Sequence, residues 1–276
     1  MKEKGELISF LTAYDYPTAL IEDRAGIEMI LVGDSAAMCL FGHRTTLPVT
    51  MDEMISITKA VTRATKYAFV VGDMPYMSYQ SSHEEAIRNA GRFMGEAGVD
   101  AIKLEGGTRM AGAVKAIVDA GIPVMGHIGL TPQSYTQLGG FKSQGRDADT
   151  AVKLIDDALA LEEAGAFSIL LEAMPNEVGE IISERLDILT LGIGAGRACD
   201  GQLLIVHDLI GLFEAFTPKF VKKYADVAGI MEQAFCDYRQ DVRNRAFPQP
   251  EHYYPIPEDE LTKLHDRLNK QDGSVK

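Results

Sequence analysis

Two short stretches of the sequence end an apolar run on a glycine followed by an aspartate. The first is ILVGDS at residues 30–35 and the second is AFVVGDMP at residues 68–75, which place the acids at Asp34 and Asp73. If the fold brings the two carboxylates together, they repel each other unless a cation or a shared proton compensates. Mg²⁺ is a suitable partner, because it takes one or two carboxylates together with substrate oxygens and water. The pair therefore indicates a metal site. The alternative is that each aspartate only caps a following helix, a position that favours aspartate.

Charged residues also follow the next apolar run along the chain. In IKLEGG, Lys103 and Glu105 are two residues apart, so both point to the same side of an extended strand. One interpretation is that they form a structural ion pair. The other is that Lys103 binds a carboxylate or enolate of the substrate. Glu105 is a candidate third metal ligand, or a residue that orients a water on the metal.

Two further candidates suit acid–base chemistry. His127 in GHIGLTPQS is either a packed histidine bonded to a carbonyl or a side chain of the site. Glu172 closes the apolar run SILLEA, a position that suits a general base. The stretch GIGAG at residues 192–196 could hold a phosphate on its backbone amides, but a tight turn after a strand is the simpler interpretation.

The elements that must position these residues are eight apolar runs of about strand length. Continuous apolar runs of this kind are typical of strands buried on both faces, as in parallel sheets. Amphipathic stretches separate most of them, and two of these, residues 81–100 and 147–166, contain Glu-Ala-Gly near their ends, where glycine can terminate a helix. The eight runs are residues 8–15, 29–35, 68–75, 100–107, 122–130, 167–175, 188–196 and 202–208.

Eight such units predict a (β/α)₈ TIM barrel with additional C-terminal helices. The competing fold is an open doubly wound sheet, which more often has about five to seven strands. Residues 197–202 are too few for a helix, whereas residues 218–247 are predicted to be helical. We expect one domain over residues 1–276, with residues 248–276 as a peripheral tail. In a barrel the carboxyl ends of all strands share one face, so the candidate residues would meet at the face that holds the active site.

Composition narrows the class of protein. The 276-residue chain carries a net charge of −13, which repels nucleic acid and anionic membrane surfaces. No apolar run approaches the ~18 residues of a membrane span, and the first residues lack the pattern of a signal peptide. The three cysteines are widely spaced and do not form a CxxC pair, which argues against a disulfide framework or a zinc site. We therefore expect a cytoplasmic protein.

The motifs together resemble those of the ketopantoate hydroxymethyltransferase family. The resemblance covers about residues 8–250. It rests on TAYDYPTA, LVGDS, GHRTTLPVT, GDMP, IKLEGG, GHIGLTPQS, GGFKSQGR, LLEAMP and GIGAG, which occur in that order.

This resemblance implies a barrel of the phosphoenolpyruvate mutase and isocitrate lyase superfamily, assembled as a homodecamer. It implies transfer of a hydroxymethyl group from the co-substrate 5,10-methylenetetrahydrofolate to 3-methyl-2-oxobutanoate, through a Mg²⁺-stabilised enolate. The product would be 2-dehydropantoate, in pantothenate and coenzyme A biosynthesis. The family's metal positions fall on Asp34, Asp73 and Glu105. Its substrate contacts fall on Asp34, Ser35, Asp73, Lys103 and His127, and its proposed base on Glu172.

Two other readings compete with this one. The first is another enzyme of the same superfamily, which forms or cleaves a C–C or P–C bond in a 2-oxo acid. A lyase of that group carries a Lys-Lys-Cys-Gly-His loop, and this sequence has no such motif. The second is a barrel kept only as a scaffold, which would have lost a metal or base position. The sequence departs from the expected family pattern at Ala173, where cysteine is common, and at Ser143, where valine is expected.

Overall fold

The computed structural model describes residues 1–272, and its centre is a closed barrel of eight parallel strands in sequence order. Seven strands lie inside the predicted apolar runs, and β8 begins one residue before its predicted run, so the predicted (β/α)₈ barrel is confirmed. The strands are β1 Ile8–Thr12, β2 Met29–Val32, β3 Phe69–Asp73, β4 Ala101–Glu105, β5 Val124–Gly129, β6 Ser168–Glu172, β7 Leu189–Ile193 and β8 Gly201–Leu204.

The burial of the strands explains their continuous apolar runs. Every residue of β2 and β5 is buried, because one face of each strand points into the barrel and the other packs against the helices. The interior is filled by side chains such as Phe10, Leu31 and Met125. A larger cluster packs between the strands and the surrounding helices. The barrel interior is therefore filled with side chains and is not a pore.

The helices follow the strands as the sequence predicts. Several have side-chain caps: Ser82 accepts a hydrogen bond from Glu85 N, and Thr50 and Glu53 form a reciprocal capping box. Gly98 and Gly165, the glycines of the two Glu-Ala-Gly patterns, both have positive φ at helix ends. The helices are α1 Tyr16–Ala25, α2 Ala36–Cys39, α3 Met51–Ala64, α4 His83–Arg92, α5 Ala111–Asp119, α6 Ala148–Glu163, α7 Asn176–Arg185, α8 Val206–Leu209, α9 Val227–Asn244 and α10 Glu258–Asp272.

Two local expectations need comment. Residues 197–202 form no helix, as their small number predicts. Residues 194–200 connect β7 to β8, and Gly201 and Gln202 are the first residues of β8. The predicted helix over residues 218–247 is wrong at its start, because only Val227–Asn244 is helical. The preceding segment is held by other contacts: Tyr224 N donates to Leu209 O at 2.7 Å. Phe220 packs against the cluster inside the barrel.

The chain forms two compact units. The first, Met1–Asp226, contains the barrel and all the candidate site residues, and the second, Val227–Lys276, contains α9 and α10. Residues 273–276, the end of the predicted tail, lie outside the described residues. Within the described part of the chain, no helix combines the length and apolar character that crossing a membrane requires.

Candidate active site

The carboxyl ends of the strands surround one cavity of about 160 Å³ at the barrel mouth. The structure brings all seven predicted site residues to this cavity, although they come from five different strand ends. They are Asp34, Ser35, Asp73, Lys103, Glu105, His127 and Glu172.

Asp34 and Asp73 are neighbours in space, as the barrel prediction requires. Asp34 N donates to Asp73 Oδ2 at 2.9 Å, because β2 and β3 pair and end side by side. The residues are only 4% and 1% exposed, so water solvates neither carboxylate well. Within residues 1–272, the N-caps of the helices that follow Asp34 and Asp73 are Ser35 and Ser82, so neither aspartate caps a helix. By contrast, the carboxylate of Asp15 accepts from Thr18 N at 2.8 Å at the start of α1.

Burial determines the electrostatics of this acid pair. It raises the pKa of Asp34 well above the ordinary value, and the negative charges of Asp73 and Glu105 raise it further. Burial also raises the pKa of Asp73, and the attraction of Lys103 offsets only part of the increase. The positive charge near the two aspartates is therefore too small to offset the effect of burial on their pKa values.

Lys103 and Glu105 lie on the same side of β4, and both are buried. Lys103 Nζ is 2.8 Å from Asp73 Oδ1 and 3.7 Å from Glu105 Oε1. Burial by itself lowers the pKa of Lys103, but the acids more than offset this and raise it above its ordinary value. Burial raises the pKa of Glu105, but Lys103 and His127 lower it by more, so Glu105 is ionised. The ion pair anticipated from the sequence is present inside the cavity.

His127 lies between two carboxylates and one ammonium group. Nδ1 is 3.4 Å from Glu105 Oε1, and Nε2 is 3.1 Å from Glu172 Oε2. Burial and Lys103 lower the pKa of His127, but the two carboxylates outweigh them and raise it to about 9. The imidazole is thus a cation at neutral pH. Lys103 Nζ, 3.3 Å from Nδ1, is then a contact between two donors and not a hydrogen bond. His127 is a buried residue of the site and not a histidine bonded only to a carbonyl.

The donor set fits a divalent cation. Four acidic side chains, Asp34, Asp73, Glu105 and Glu172, face two basic ones, Lys103 and His127. With all of them ionised, the cluster carries two excess negative charges, which one dication would balance. Among residues 1–272, no three His, Cys, Asp or Glu side chains form a ready metal-binding group. Two buried carboxylates with space beside them are nevertheless what Mg²⁺ commonly takes from a protein.

Ser35 and Glu172 lie at the border of the cavity. The hydroxyl of Ser35 is 2.7 Å from that of Tyr14, a buried residue at the end of β1. The side chain of Glu172 is 14% exposed, compared with 1% for Asp73 and 2% for Glu105. It faces the open space of the cavity. The Glu172 carboxylate can therefore reach a bound molecule while its Oε2 stays in contact with His127 Nε2.

Sequence reasoning missed several residues of the site. Gln133 is 4% exposed and bonds to Asp34 through its side chain and to Glu105 through its backbone. Tyr79 contacts both Glu105 and Gln133. The only signal was that Gln133 belongs to GHIGLTPQS, the motif that supplied His127. By contrast, GIGAG forms a turn, with Gly194 and Gly196 at positive φ.

Comparison with known sequences gives a consistent result over nearly the whole chain. A family model described as ketopantoate hydroxymethyltransferase matches residues 1–250. A protein of Syntrophobacter fumaroxidans is 56% identical over 257 residues, covering 93% of this chain and 91% of its own. A protein of Syntrophomonas wolfei is 53% identical over 264 residues, covering 96% of each chain. Both relatives are named 3-methyl-2-oxobutanoate hydroxymethyltransferase.

Solved structures share the fold at low identity. A phosphoenolpyruvate phosphomutase from Streptomyces platensis subsp. rosaceus is 16% identical, with a TM-score of 0.62 and coverage of 98% of this chain and 94% of its own. A phosphonopyruvate hydrolase in complex with oxalate and Mg²⁺ is 12% identical, with a TM-score of 0.62 and coverage of 99% and 95%. These similarities support the barrel architecture.

Proposed function

The chain belongs to the ketopantoate hydroxymethyltransferase family, and we propose that it transfers a hydroxymethyl group from 5,10-methylenetetrahydrofolate to 3-methyl-2-oxobutanoate. In the balanced reaction, the folate donor, the oxo acid and one water give tetrahydrofolate and 2-dehydropantoate. This product would serve pantothenate and coenzyme A biosynthesis. The relatives' names support the acceptor and the group transferred, while the site supports the chemistry proposed below.

One observation carries the proposal: the cavity joins an acid pair, two buried cations and a partly exposed glutamate. A 2-oxo acid has a carboxylate next to a ketone, and its C3–H bond is weakly acidic because the ketone stabilises the enolate. The site therefore offers a group for each part of the substrate: cations for the oxygens and a carboxylate for the proton.

In this proposal Asp34 and Asp73 hold a Mg²⁺ ion, with Glu105 behind them. When bound there, Mg²⁺ would polarise the ketone and stabilise the negative charge of the enolate. Lys103, 2.8 Å away, lowers the pKa of Asp73 and directs positive charge towards the substrate. The backbone amide of Ser35 orients the acid group, and the positive charge of His127, whose two nitrogens face Glu105 and Glu172, attracts a substrate oxygen.

Glu172 is the proposed base. Its carboxylate removes the proton from C3. Water cleaves the methylene carbon from the folate nitrogens, which releases tetrahydrofolate and leaves that carbon at the oxidation level of formaldehyde. The electron pair of the former C3–H bond attacks this carbon, and its oxygen takes the proton back from Glu172 to become the hydroxyl group of the product. The alternative role is a hydrogen bond to the hydroxyl group of the product. The position of Glu172 next to His127 suits both, because the imidazolium can steady the carboxylate in either step.

The loop with the sequence GHRTTLPVT follows β2 and is proposed to close over the bound substrates. Thr46 of this loop is 3% exposed and lines the cavity. A closed loop would limit the access of bulk water to the activated folate. Assembly as a homodecamer and a cytoplasmic location belong to the same proposal.

The test is an assay of the purified protein with 3-methyl-2-oxobutanoate, 5,10-methylenetetrahydrofolate and Mg²⁺. We expect 2-dehydropantoate to form only when all three are present, and NMR can follow the product directly. Consumption of the oxo acid without folate would favour a superfamily enzyme of the lyase type. No reaction under any of these conditions, together with no binding of Mg²⁺, would favour the scaffold.

A further inference from the structure

We propose that Gln133 is a positioning residue, which orients the carboxylates of Asp34 and Glu105 for metal binding. This inference rests on the proposed function, because it concerns the same metal site. Gln133 lies in the short 3₁₀ turn Pro132–Ser134 that follows β5, and it is 4% exposed. Its hydrogen bonds reach Asp34 and Glu105, two acids at the ends of two other strands.

Gln133 donates to both acids at once. Its side-chain Nε2 donates to Asp34 Oδ2 at 3.0 Å, and its backbone N donates to Glu105 Oε2 at 2.9 Å. Each acid thus has one oxygen committed to Gln133 and one oxygen left for other partners. The remaining oxygen of Glu105 faces Lys103 and His127. The torsion of a carboxylate about its last bond is soft, so such a bond decides which oxygen faces the cavity.

The amide orientation of Gln133 is determined by its surroundings. On one side, Nε2 faces two acceptors, Asp34 Oδ2 and Met74 O, each at 3.0 Å. On the other side, Oε1 faces the hydroxyl of Tyr79 at 2.7 Å and the amide nitrogen of Gln80 at 3.1 Å. An exchange of the oxygen and nitrogen positions would set oxygen against two acceptors and nitrogen against the donor of Gln80.

Tyr79 extends this network back to Glu105. Glu105 N donates to the Tyr79 hydroxyl at 3.0 Å, and that hydroxyl is then free to donate its own proton to Gln133 Oε1. A continuous path therefore runs from the backbone of Glu105 through Tyr79 and Gln133 to the carboxylate of Asp34. Every polar group of the Gln133 side chain is satisfied within it, as buried amides require.

The same contacts would also tie the loop after β5 to the barrel, so the test must separate positioning from stability. Gln133→Met keeps a similar volume but removes the side-chain donor to Asp34. Gln137→Met is the matched control, because it makes the same substitution in the same loop, at an exposed side chain whose amide oxygen accepts from Arg109 at 3.4 Å. Thermal unfolding, calorimetric titration with Mg²⁺ alone, and the Mg²⁺ dependence of turnover are measured for both variants.

We expect Gln133→Met to weaken Mg²⁺ binding about tenfold, since partners of metal ligands typically contribute factors of about 10 to 100. The Mg²⁺ concentration for half-maximal turnover should rise by a similar factor, while kcat at saturating Mg²⁺ largely recovers. Gln137→Met should change either quantity less than about twofold. A purely structural role would lower the unfolding temperature and leave the affinity of the folded protein for Mg²⁺ unchanged.

Unchanged Mg²⁺ affinity in Gln133→Met would overturn the inference while leaving the proposed function intact. Failure of the unaltered protein to bind Mg²⁺ would overturn both. If Gln133→Met does not fold, Tyr79→Phe replaces it, because it removes the hydroxyl that fixes the amide. We expect a smaller loss of Mg²⁺ affinity in that variant, roughly threefold, and unchanged affinity there would also overturn the inference.

Discussion

At the scale of single residues, Glu172 and His127 act as one unit. The carboxylate of Glu172 is open to the cavity on one side, and the imidazolium of His127 lies 3.1 Å away on the other. This arrangement places a base within reach of a substrate and keeps its position fixed. It explains why a glutamate can end the apolar strand β6 without leaving a buried charge unpaired.

Glu172→Gln tests the role of this residue. The amide cannot accept the proton from C3, so we expect turnover to fall by about two to four orders of magnitude, the usual range for a lost general base. The KM for 3-methyl-2-oxobutanoate should change little. Exchange of the C3 proton with D₂O, followed by NMR, is the direct measurement. Exchange at the full rate in this variant would assign proton removal to another group and leave Glu172 with the product hydroxyl.

Glu22 on α1 is a buried acid that sequence reasoning did not identify. It is 5% exposed, and neither carboxylate oxygen has a hydrogen-bond partner. Burial, with a smaller effect of Asp15, raises the pKa of Glu22 to about 8. The folded protein therefore keeps the proton over a pH range in which the unfolded chain has lost it.

This shift predicts how stability depends on pH. Because the folded pKa is raised, the contribution of Glu22 to stability is fully present below about pH 4.5 and is lost as the pH rises to about 8. Glu22→Gln should remove this loss and stabilise the protein at pH 8 by on the order of a few kcal/mol. Thermal unfolding of both proteins from pH 5 to 9 is the measurement. Parallel curves for the two proteins would show that Glu22 is solvated and titrates normally.

At the scale of elements, the strand ends set the geometry of the site. Gly129 ends β5 with a φ of +93°, and a Cβ there would lie 2.2 Å from the carbonyl oxygen of Glu172. That carbonyl accepts from Leu130 N at 2.9 Å, which ties the ends of β5 and β6 together. The close approach of β5 to β6 at Glu172 thus requires glycine at position 129.

Gly129→Ala should therefore affect both stability and turnover. Gly26→Ala is the matched control, because Gly26 also has positive φ, +82°, but a Cβ there meets nothing within 4 Å. We expect the control to lose only about 1 kcal/mol from backbone strain, with normal activity. Gly129→Ala should lose more stability and most of its turnover, as thermal unfolding and the product assay would show. Equal effects of the two substitutions would show that the contact between β5 and β6 does not require glycine at position 129.

The elements also show what the sequence can and cannot predict. The strands were predictable because a run such as that of β2 is apolar throughout, a pattern that is typical of strands buried on both faces. Their polar ends were predictable because a barrel places all strand ends on one face. Gln133 was not predictable, because its partners Glu105 and Asp34 lie 28 and 99 residues away and its own segment is a loop.

The error before α9 has a similar cause. Residues 218–226 contain residues that favour a helix, but tertiary contacts override that preference. The backbone of Tyr224 bonds to Leu209, and the ring of Phe220 lines the cavity and packs inside the barrel. Local propensity is a weak guide where a loop supplies side chains to a site.

At the scale of the whole molecule, the proposal includes assembly into an oligomer. A homodecamer is predicted, and its mass would be about ten times the 30.1 kDa of one chain. Sedimentation equilibrium at several protein concentrations is the measurement. We expect a single species at that mass, since a closed assembly has a fixed number of subunits. A monomer or dimer that retains full activity would contradict this part of the proposal.

The proposed chemistry depends most on a divalent ion held at the barrel mouth by Asp34 and Asp73. The most direct measurement is a crystal structure of the protein with Mg²⁺ and 3-methyl-2-oxobutanoate. We predict one ion in contact with carboxylate oxygens of both aspartates and with the oxo acid, and Glu172 near C3. An ion bound elsewhere, or an oxo acid seated in the cavity while the two aspartates make no contact with any ion, would contradict the account.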